Sequence, residues 1–482
     1  MFSAVLQKSA AVFCSIRRFI SLHCYDIIYT IMYLADGSKD MGKSVVIVGA
    51  NQSALVLARL LGEKGFNVCV YEKEARENVA YDWHDDMHPS AFAAADIPLP
   101  DKPFWFPKGD WSFVSPDEKS ITRIHQDPER VDWSIERRKF NDYLFSRAEG
   151  YAEFHYSSAA KRVMVESGHI VGIELESGEK VYSDLVVDIS GATSACRRSL
   201  PAEFKIQRET EKGDLFRAWR AFVTRAPGVP DPEYTNKAYL KHLGEAGISW
   251  CIWDQPSDTV NLLIGHIDEL SDEEFDRAYT ALKKGNPIIG DTVVRGDRIC
   301  TIPVRRPISK MFADGYVLLG DSAFMTIPML GSGMASGIRV AKILSDVLIS
   351  GGDKPFSSRN LYRYQRQFMQ EMGAKYSGVE MLKNWLLNAP SDKVSFLFNK
   401  GLLSEEDLKR SCVGEIVKLT PRSIVQKGVR GATQLPLLMS LCGLLMKIDI
   451  QIRTAKNMPA EYSPDSFAAW QKKYSKAFGR EI

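Results

Sequence analysis

At 482 residues the chain is long enough for about three domains and a large buried core. Its 45% hydrophobic and 25% charged residues exclude a disordered or fibrous chain. The 62 Lys and Arg balance 60 Asp and Glu, which argues against a generally basic nucleic-acid binder, so no nucleic-acid partner is expected.

Residues 1–40 differ in character from the rest of the chain. Lys8, Arg17, Arg18, His23 and Asp26 interrupt their apolar stretches, and no small-residue cleavage site closes them. Residues 1–42 read as an amino-terminal extension dispensable for activity, with Met41 an alternative translation start; a membrane-surface helix is the other reading. Organised sequence begins at Ser44. Val45-Val46-Ile47-Val48 is the β-branched run of a buried strand, Leu55–Leu61 reads as a helix ended by Gly65, and Asn67–Tyr71 is a second strand closing on Glu72. Glu72 lies 23 residues after Gly49, close to the spacing of a dinucleotide-binding βαβ unit.

Each position has a physical reason. Gly49 permits the tight turn, the helix amino terminus offers N–H groups to a pyrophosphate, and Glu72 accepts hydrogen bonds from a ribose. Ala54 is small enough for close helix–strand packing. Asn51 stands where a second glycine is usual; its tolerance of left-handed geometry preserves the turn, while its side chain weakens phosphate binding. A βαβ unit that binds nothing remains the rival here.

The loop Tyr81–Pro89 holds Asp82, His84, Asp85, Asp86 and His88. His84 and Asp85 are the catalytic candidates, because an imidazole supplies a proton near neutral pH and an adjacent carboxylate fixes its tautomer. A solvated polar loop is the alternative, and no metal site is expected. Phe104-Trp105-Phe106 and Trp111 with Phe113 line either an apolar pocket or simple core. Strands joined by Gly-bearing turns run from Arg162 to Asp188 and end in Ser190-Gly191-Ala192-Thr193. Alternating strands occupy Glu203 to Ile299, among them Ile248–Trp253. A third constellation, Gly315–Ala323 continuing to Pro328-Met329-Leu330-Gly331-Ser332-Gly333-Met334, delivers Asp321 at a strand end and opens a helix over 335–348.

From Pro355 the pattern is helical. Leu435–Met446 is its most apolar run, too short to span a bilayer and flanked by Lys427, Arg430 and Lys447; it reads as a buried helix, with monotopic membrane contact as the second reading. The eight cysteines form no CxxC pair, as expected of reduced thiols in a cytoplasmic protein.

Three motifs about 130 residues apart, in this order, resemble the glutathione-reductase-like FAD superfamily. Within it the chain is similar to the geranylgeranyl reductase family, whose neighbours include the aromatic-ring hydroxylases, over roughly Ser44–Ser350. The resemblance implies an α/β fold: a Rossmann-like FAD-binding domain from residues 43–200 and 296–350, a substrate-binding β domain from 201–295 and a carboxy-terminal helical region from 351–482. It places Gly49, Asn51, Ser53, Ala54, Glu72, Lys73 and Gly191 against FAD and has Val163 present its backbone to adenine. Asp321 then holds the ribityl chain, and Pro328, Gly331, Ser332, Gly333 and Met334 approach the ring. Arg137 matches the family's Arg-x-x-Phe-Asp segment, with Asn141 in place of the aspartate.

Trp250 and Trp253 fall in a segment similar to the family's aromatic-x-Trp-x-Phe-Pro and are the substrate candidates, although Ile248 replaces the aromatic and Ile252-Trp253 the Phe-Pro. The implied function is saturation of C=C bonds in an isoprenoid-like or other hydrophobic small molecule, with NAD(P)H or an electron-donor protein as reductant. An FAD-dependent aromatic-ring monooxygenase and a non-catalytic binding protein on a degenerate flavin fold are the alternatives.

Overall fold

The computed structural model describes residues 43–482 apart from 102–103, 128–130, 330, 332, 417–419 and 479–482. The expectations for residues 1–42 and Ser332 therefore lie outside the described residues. Ser44–Ile482 forms one unit.

Val45–Val48 does form a buried strand, the centre of a six-stranded sheet. The sheet runs Phe312–Ala313, Tyr316–Leu318, Leu185–Asp188, Ser44–Val48, Asn67–Tyr71, Glu153–His155. All neighbours are parallel except the first pair. Register decides what this sheet can do. Val48 lies beside both Tyr71 and Asp188, and Asp188 beside Leu318. The carboxyl ends of four strands are thus level, and the turns after them, carrying Gly49, Glu72, Gly191 and Asp321, meet along one edge. In open parallel sheets that edge is where ligands bind.

A three-stranded sheet, Trp105–Pro107, Trp133–Glu136 and His84–Met87, stands next to it and leads into helix Arg137–Ala148. The Trp105 and Trp133 rings stack 3.6 Å apart, so this aromatic cluster is core.

The third layer is a seven-stranded sheet: Ile289–Pro303, Leu215–Arg225, Thr259–Ile267, Gly247–Asp254, Asn236–Leu240, Trp111–Val114, Ile121–Ile124. It draws strands from outside the expected substrate segment. Ile289–Pro303 crosses the 295/296 boundary because it pairs along Leu215–Arg225, and Trp111–Val114 pairs with Asn236–Leu240. Strand alternation gives this sheet two unlike faces. Trp219, Val223, Cys251 and Trp253 pack under helix Asp272–Gly285 with Ala278 and Leu282. Phe216, Ala218, Phe222, Trp250, Leu263 and Cys300 face the other way and close on Trp83 and Tyr81.

Helix Met334–Ile349 packs against helix Gln52–Gly62 so closely that a Cβ on Gly337 would lie 2.3 Å from Ser53 Oγ. The helical region is tied back by helix Ala374–Asn388: Glu380 accepts from the Arg306 N–H at 3.0 Å, and Lys383 donates to Val304 O at 2.5 Å. Helix Leu435–Lys456 corrects an expectation. It is 22 residues long, and Leu435, Met439, Met446 and Ile450 are 58%, 67%, 65% and 63% exposed, so it is not a buried helix.

Candidate active site

The first turn is built as a clamp. Gly49 adopts φ +104°, and a Cβ there would lie 2.8 Å from Ile189 O, so only glycine fits. Its N–H donates to Tyr71 O at 2.8 Å, while the Ala50 N–H donates to Glu72 Oε2 at 2.8 Å. Glu72 Oε1 takes the Glu74 N–H at 2.9 Å. Glu72 therefore fixes the turn from within and keeps lone pairs for a ribose. Lys73 is exposed, its side chain 69% accessible and 3.8 Å from Glu74 Oε1.

Asn51 differs from expectation. It is extended (φ −73°, ψ 177°), not left-handed, and caps the helix. Its Oδ1 accepts from the Ser53 and Ala54 N–H groups at 3.1 and 3.3 Å, and its Nδ2 donates to Ile189 O at 3.1 Å. Two of the donors expected to meet a pyrophosphate are thus already engaged.

Around the other motifs, Asp188 turns inward: its carboxylate accepts from Ser190, Ser194 and Tyr316 at 2.6, 2.5 and 2.7 Å, locking the second motif to the strand that precedes the third. Gly191, at φ +98°, has open space where a Cβ would sit. The Val163 N–H donates to Ser199 Oγ at 3.0 Å, which removes this donor from an adenine. Asp321 Oδ1 accepts from Thr326 Oγ1 at 2.5 Å; burial raises its carboxyl above the usual range against that hydrogen bond. A Cβ on Gly333 would lie 3.1 Å from Thr326 Oγ1 and 3.5 Å from Asp321 Oδ1, so bare backbone lies beside the carboxylate, while Gly331 takes φ +67° against Ile302. Pro328 and Met334 are buried behind it.

Arg137 opens its helix beside this edge. Its Nη1 donates to Asp85 Oδ2 at 2.9 Å, its Nη2 reaches Gln52 Oε1 at 3.5 Å, and its guanidinium stands 5.2 Å from the Tyr81 ring. The other oxygen of Asp85 accepts from Arg220 Nη1 at 2.6 Å. Arg220, on the seven-stranded sheet, also donates to His84 O at 2.7 Å and to Asn261 Oδ1 at 3.1 Å, with its guanidinium 5.1 Å from both the Trp83 and Trp250 rings. Asp85 thus bridges Arg137 and the seven-stranded sheet. Burial opposes its charge, but Arg220 and Arg137 outweigh burial and hold the carboxyl below the ordinary range. It is an anchor, and an ionised one, which makes it a poor proton donor.

His84 precedes Asp85 on one strand and so faces the opposite side. It lies edge-on to Phe106 and Phe222, with Nε2 3.7 Å from Asp254 Oδ1, both atoms buried without a hydrogen-bond partner among the described residues. Burial first, then Arg220, pushes its pKa down and keeps it neutral. The two catalytic candidates are therefore separated by the strand and do not form a dyad. Trp250 belongs to the face that carries Arg220, whereas Trp253, three residues on, points to the helix side and is covered by Arg225, 4.8 Å away. Sequence reasoning misses Arg220. Its only signal is a charged residue within the apolar alternation Ala218–Val223.

Two atoms test the fit of a flavin nucleotide. Arg137 Nε and Asn141 Oδ1, one turn apart on the same helix, are both buried with no hydrogen-bond partner among the described residues. Together with the levelled turns at Gly49, Glu72 and Asp321, they give an extended polar edge beside an apolar aromatic face, which suits FAD.

No family model matches the chain. It is 22% identical over 462 residues to digeranylgeranylglycerophospholipid reductase of Sulfolobus acidocaldarius, spanning 90% of this chain and 97% of that one. Its fold matches the crystal structure of a geranylgeranyl bacteriochlorophyll reductase-like protein from Thermoplasma acidophilum, with TM-score 0.66 and 18% identity over 83% of this chain and 99% of that one. Along nearly its whole length the chain is similar to reductases of the geranylgeranyl type. A probable FAD-dependent monooxygenase from Pseudomonas aeruginosa shares the fold, with TM-score 0.54 and 18% identity over 74% of this chain and 100% of that one.

Two outcomes are expected. Asn51→Gly frees the Ser53 and Ala54 N–H groups, so FAD titration should show affinity rising about tenfold at a stability cost of about 0.3 kcal/mol; unchanged or weaker affinity contradicts the capping role. For His84, the folded-state pKa lies below that of the unfolded chain, so as pH falls the unfolded chain takes up the proton first and stability declines. Thermal melts from about pH 7.5 to about pH 5.5 should fall more steeply for wild type than for His84→Gln; parallel slopes contradict the assignment.

Proposed function

We propose that the protein is an FAD-dependent oxidoreductase that saturates C=C bonds of a hydrophobic, isoprenoid-like substrate. The observation that carries this is the meeting, along one sheet edge, of Gly49, Arg137 and Asp321 with the aromatic face of Trp83, Phe222 and Trp250. Gly49, Arg137 and Asp321 would hold FAD, whose reduced form would provide the hydride for one carbon of the double bond, with a proton completing the other.

The chain's own residues set the conditions. Asp85 orients Arg137 through a charge-assisted hydrogen bond, and the two arginines against one carboxylate leave a net positive charge that favours an electron-rich ring. Trp83, Phe216, Phe222 and Leu263 exclude water from the face on which an apolar chain would lie. Asp85 is held ionised, whereas burial keeps the Tyr81 phenol protonated on that same face, stacked on Trp83 at 4.2 Å. The sequence carries no second nucleotide fingerprint, so the reductant binds transiently, either as NAD(P)H or as a protein donor. The S. acidocaldarius relative is named for a digeranylgeranylglycerophospholipid, which supports a lipid-sized isoprenoid. The monooxygenase reading rests on the shared fold of the P. aeruginosa protein.

The test is anaerobic. FAD-loaded protein, reduced with NADPH or dithionite, is mixed with a geranylgeranyl lipid, and the flavin absorbance is followed with mass analysis of the lipid. Flavin reoxidation without oxygen, with two hydrogens gained per bond, is expected. A product formed only in air and carrying an added oxygen atom supports the monooxygenase and overturns the reductase.

A further inference from the structure

Helix Leu435–Lys456 is held on one side only. A Cβ on Gly378 would meet Ile448 and Ile452 at 2.9 to 3.0 Å, and Ile448, Gln451 and Ala455 are buried, so that face lies along helix Ala374–Asn388. By helical spacing the opposite face carries Leu435, Met439, Cys442, Met446 and Ile450, all exposed. Helix Pro421–Arg430 adds Ile424, Val425 and Val429 at 51%, 66% and 74% exposure. Large apolar side chains left exposed in this number mark an interaction site.

Charge names the partner. Residues 421–456 hold six Lys and Arg and one Asp in a chain whose whole net charge is +2; of the six, Lys427 is paired with Asp407 and Arg453 with Asp449. Lys447 and Lys456 are exposed and fall on the two flanks of the apolar stripe, and Arg453 ends it. Ala432–Lys456 is long and apolar enough to cross a membrane, yet its packing along Ala374–Asn388 keeps it against the body of the protein. We propose that the Pro421–Arg430 and Leu435–Lys456 surface docks the protein in plane on a bilayer bearing anionic headgroups, the apolar stripe entering the acyl boundary and the flanking lysines meeting the headgroups. This inference stands independently of the cofactor and the reaction.

The full chain is sedimented with vesicles of phosphatidylcholine alone and of phosphatidylcholine with phosphatidylglycerol. Binding to the anionic vesicles is expected, weaker on phosphatidylcholine and weakened by salt. Met439→Glu with Met446→Glu should reduce partitioning at least tenfold, and Lys447→Ala with Lys456→Ala about tenfold on anionic vesicles only, with helicity and FAD content unchanged in both. Wild type left in the supernatant, or variants that bind equally well, overturns the proposal. So does a dimer in vesicle-free solution that the methionine variant dissolves, since the stripe then covers a second copy. Because the readout needs no flavin and no turnover, its failure is separable from failure of the reductase reading.

Discussion

One carboxylate joins the two halves of this molecule. Asp85 stands between Arg137, which opens the helix beside the levelled strand ends, and Arg220, which belongs to the seven-stranded sheet. Arg220 is 5% exposed, and a buried guanidinium left without an anion is strongly destabilising. The bridge therefore sets the spacing between sheet and cofactor edge. Here two arginines share one carboxylate, whereas the neighbouring Lys108 and Arg295 each meet more than one carboxylate.

Parallel register does the rest. Four strand ends are level, so turns about 130 residues apart in sequence converge without any long connection. Glu72 and Asp188 are spent largely on holding these turns, and Gly49 and Gly333 keep side chains out of the way. Positioning takes up much of the motif chemistry, which is the usual condition for a cofactor whose reactivity is its own.

The elements with local signatures were legible in the sequence. The βαβ unit at Ser44–Tyr71, the strand-to-helix turn at Asp321 and the departure of Asn51 all declare themselves over a few residues. What Asn51 does was not legible, because capping and left-handed geometry are both open to asparagine until the backbone is known. His84 and Asp85 read as a pair because they are adjacent, yet adjacency on a strand places side chains on opposite faces. Arg220 lies 135 residues from Asp85, beyond any local pattern. Leu435–Lys456 has the composition of a core helix, and only its neighbours reveal which face is left uncovered.

The most direct test is the FAD dissociation constant of Arg220→Met, measured by flavin fluorescence on the apoprotein and compared with Asp85→Asn/Arg220→Met. Without Arg220, Asp85 pairs fully with Arg137 and cancels its charge, so affinity should fall about tenfold, or ~1.4 kcal/mol, and recover in the double variant. An unchanged dissociation constant in Arg220→Met would show that sheet and cofactor edge are independent, and the account would fail.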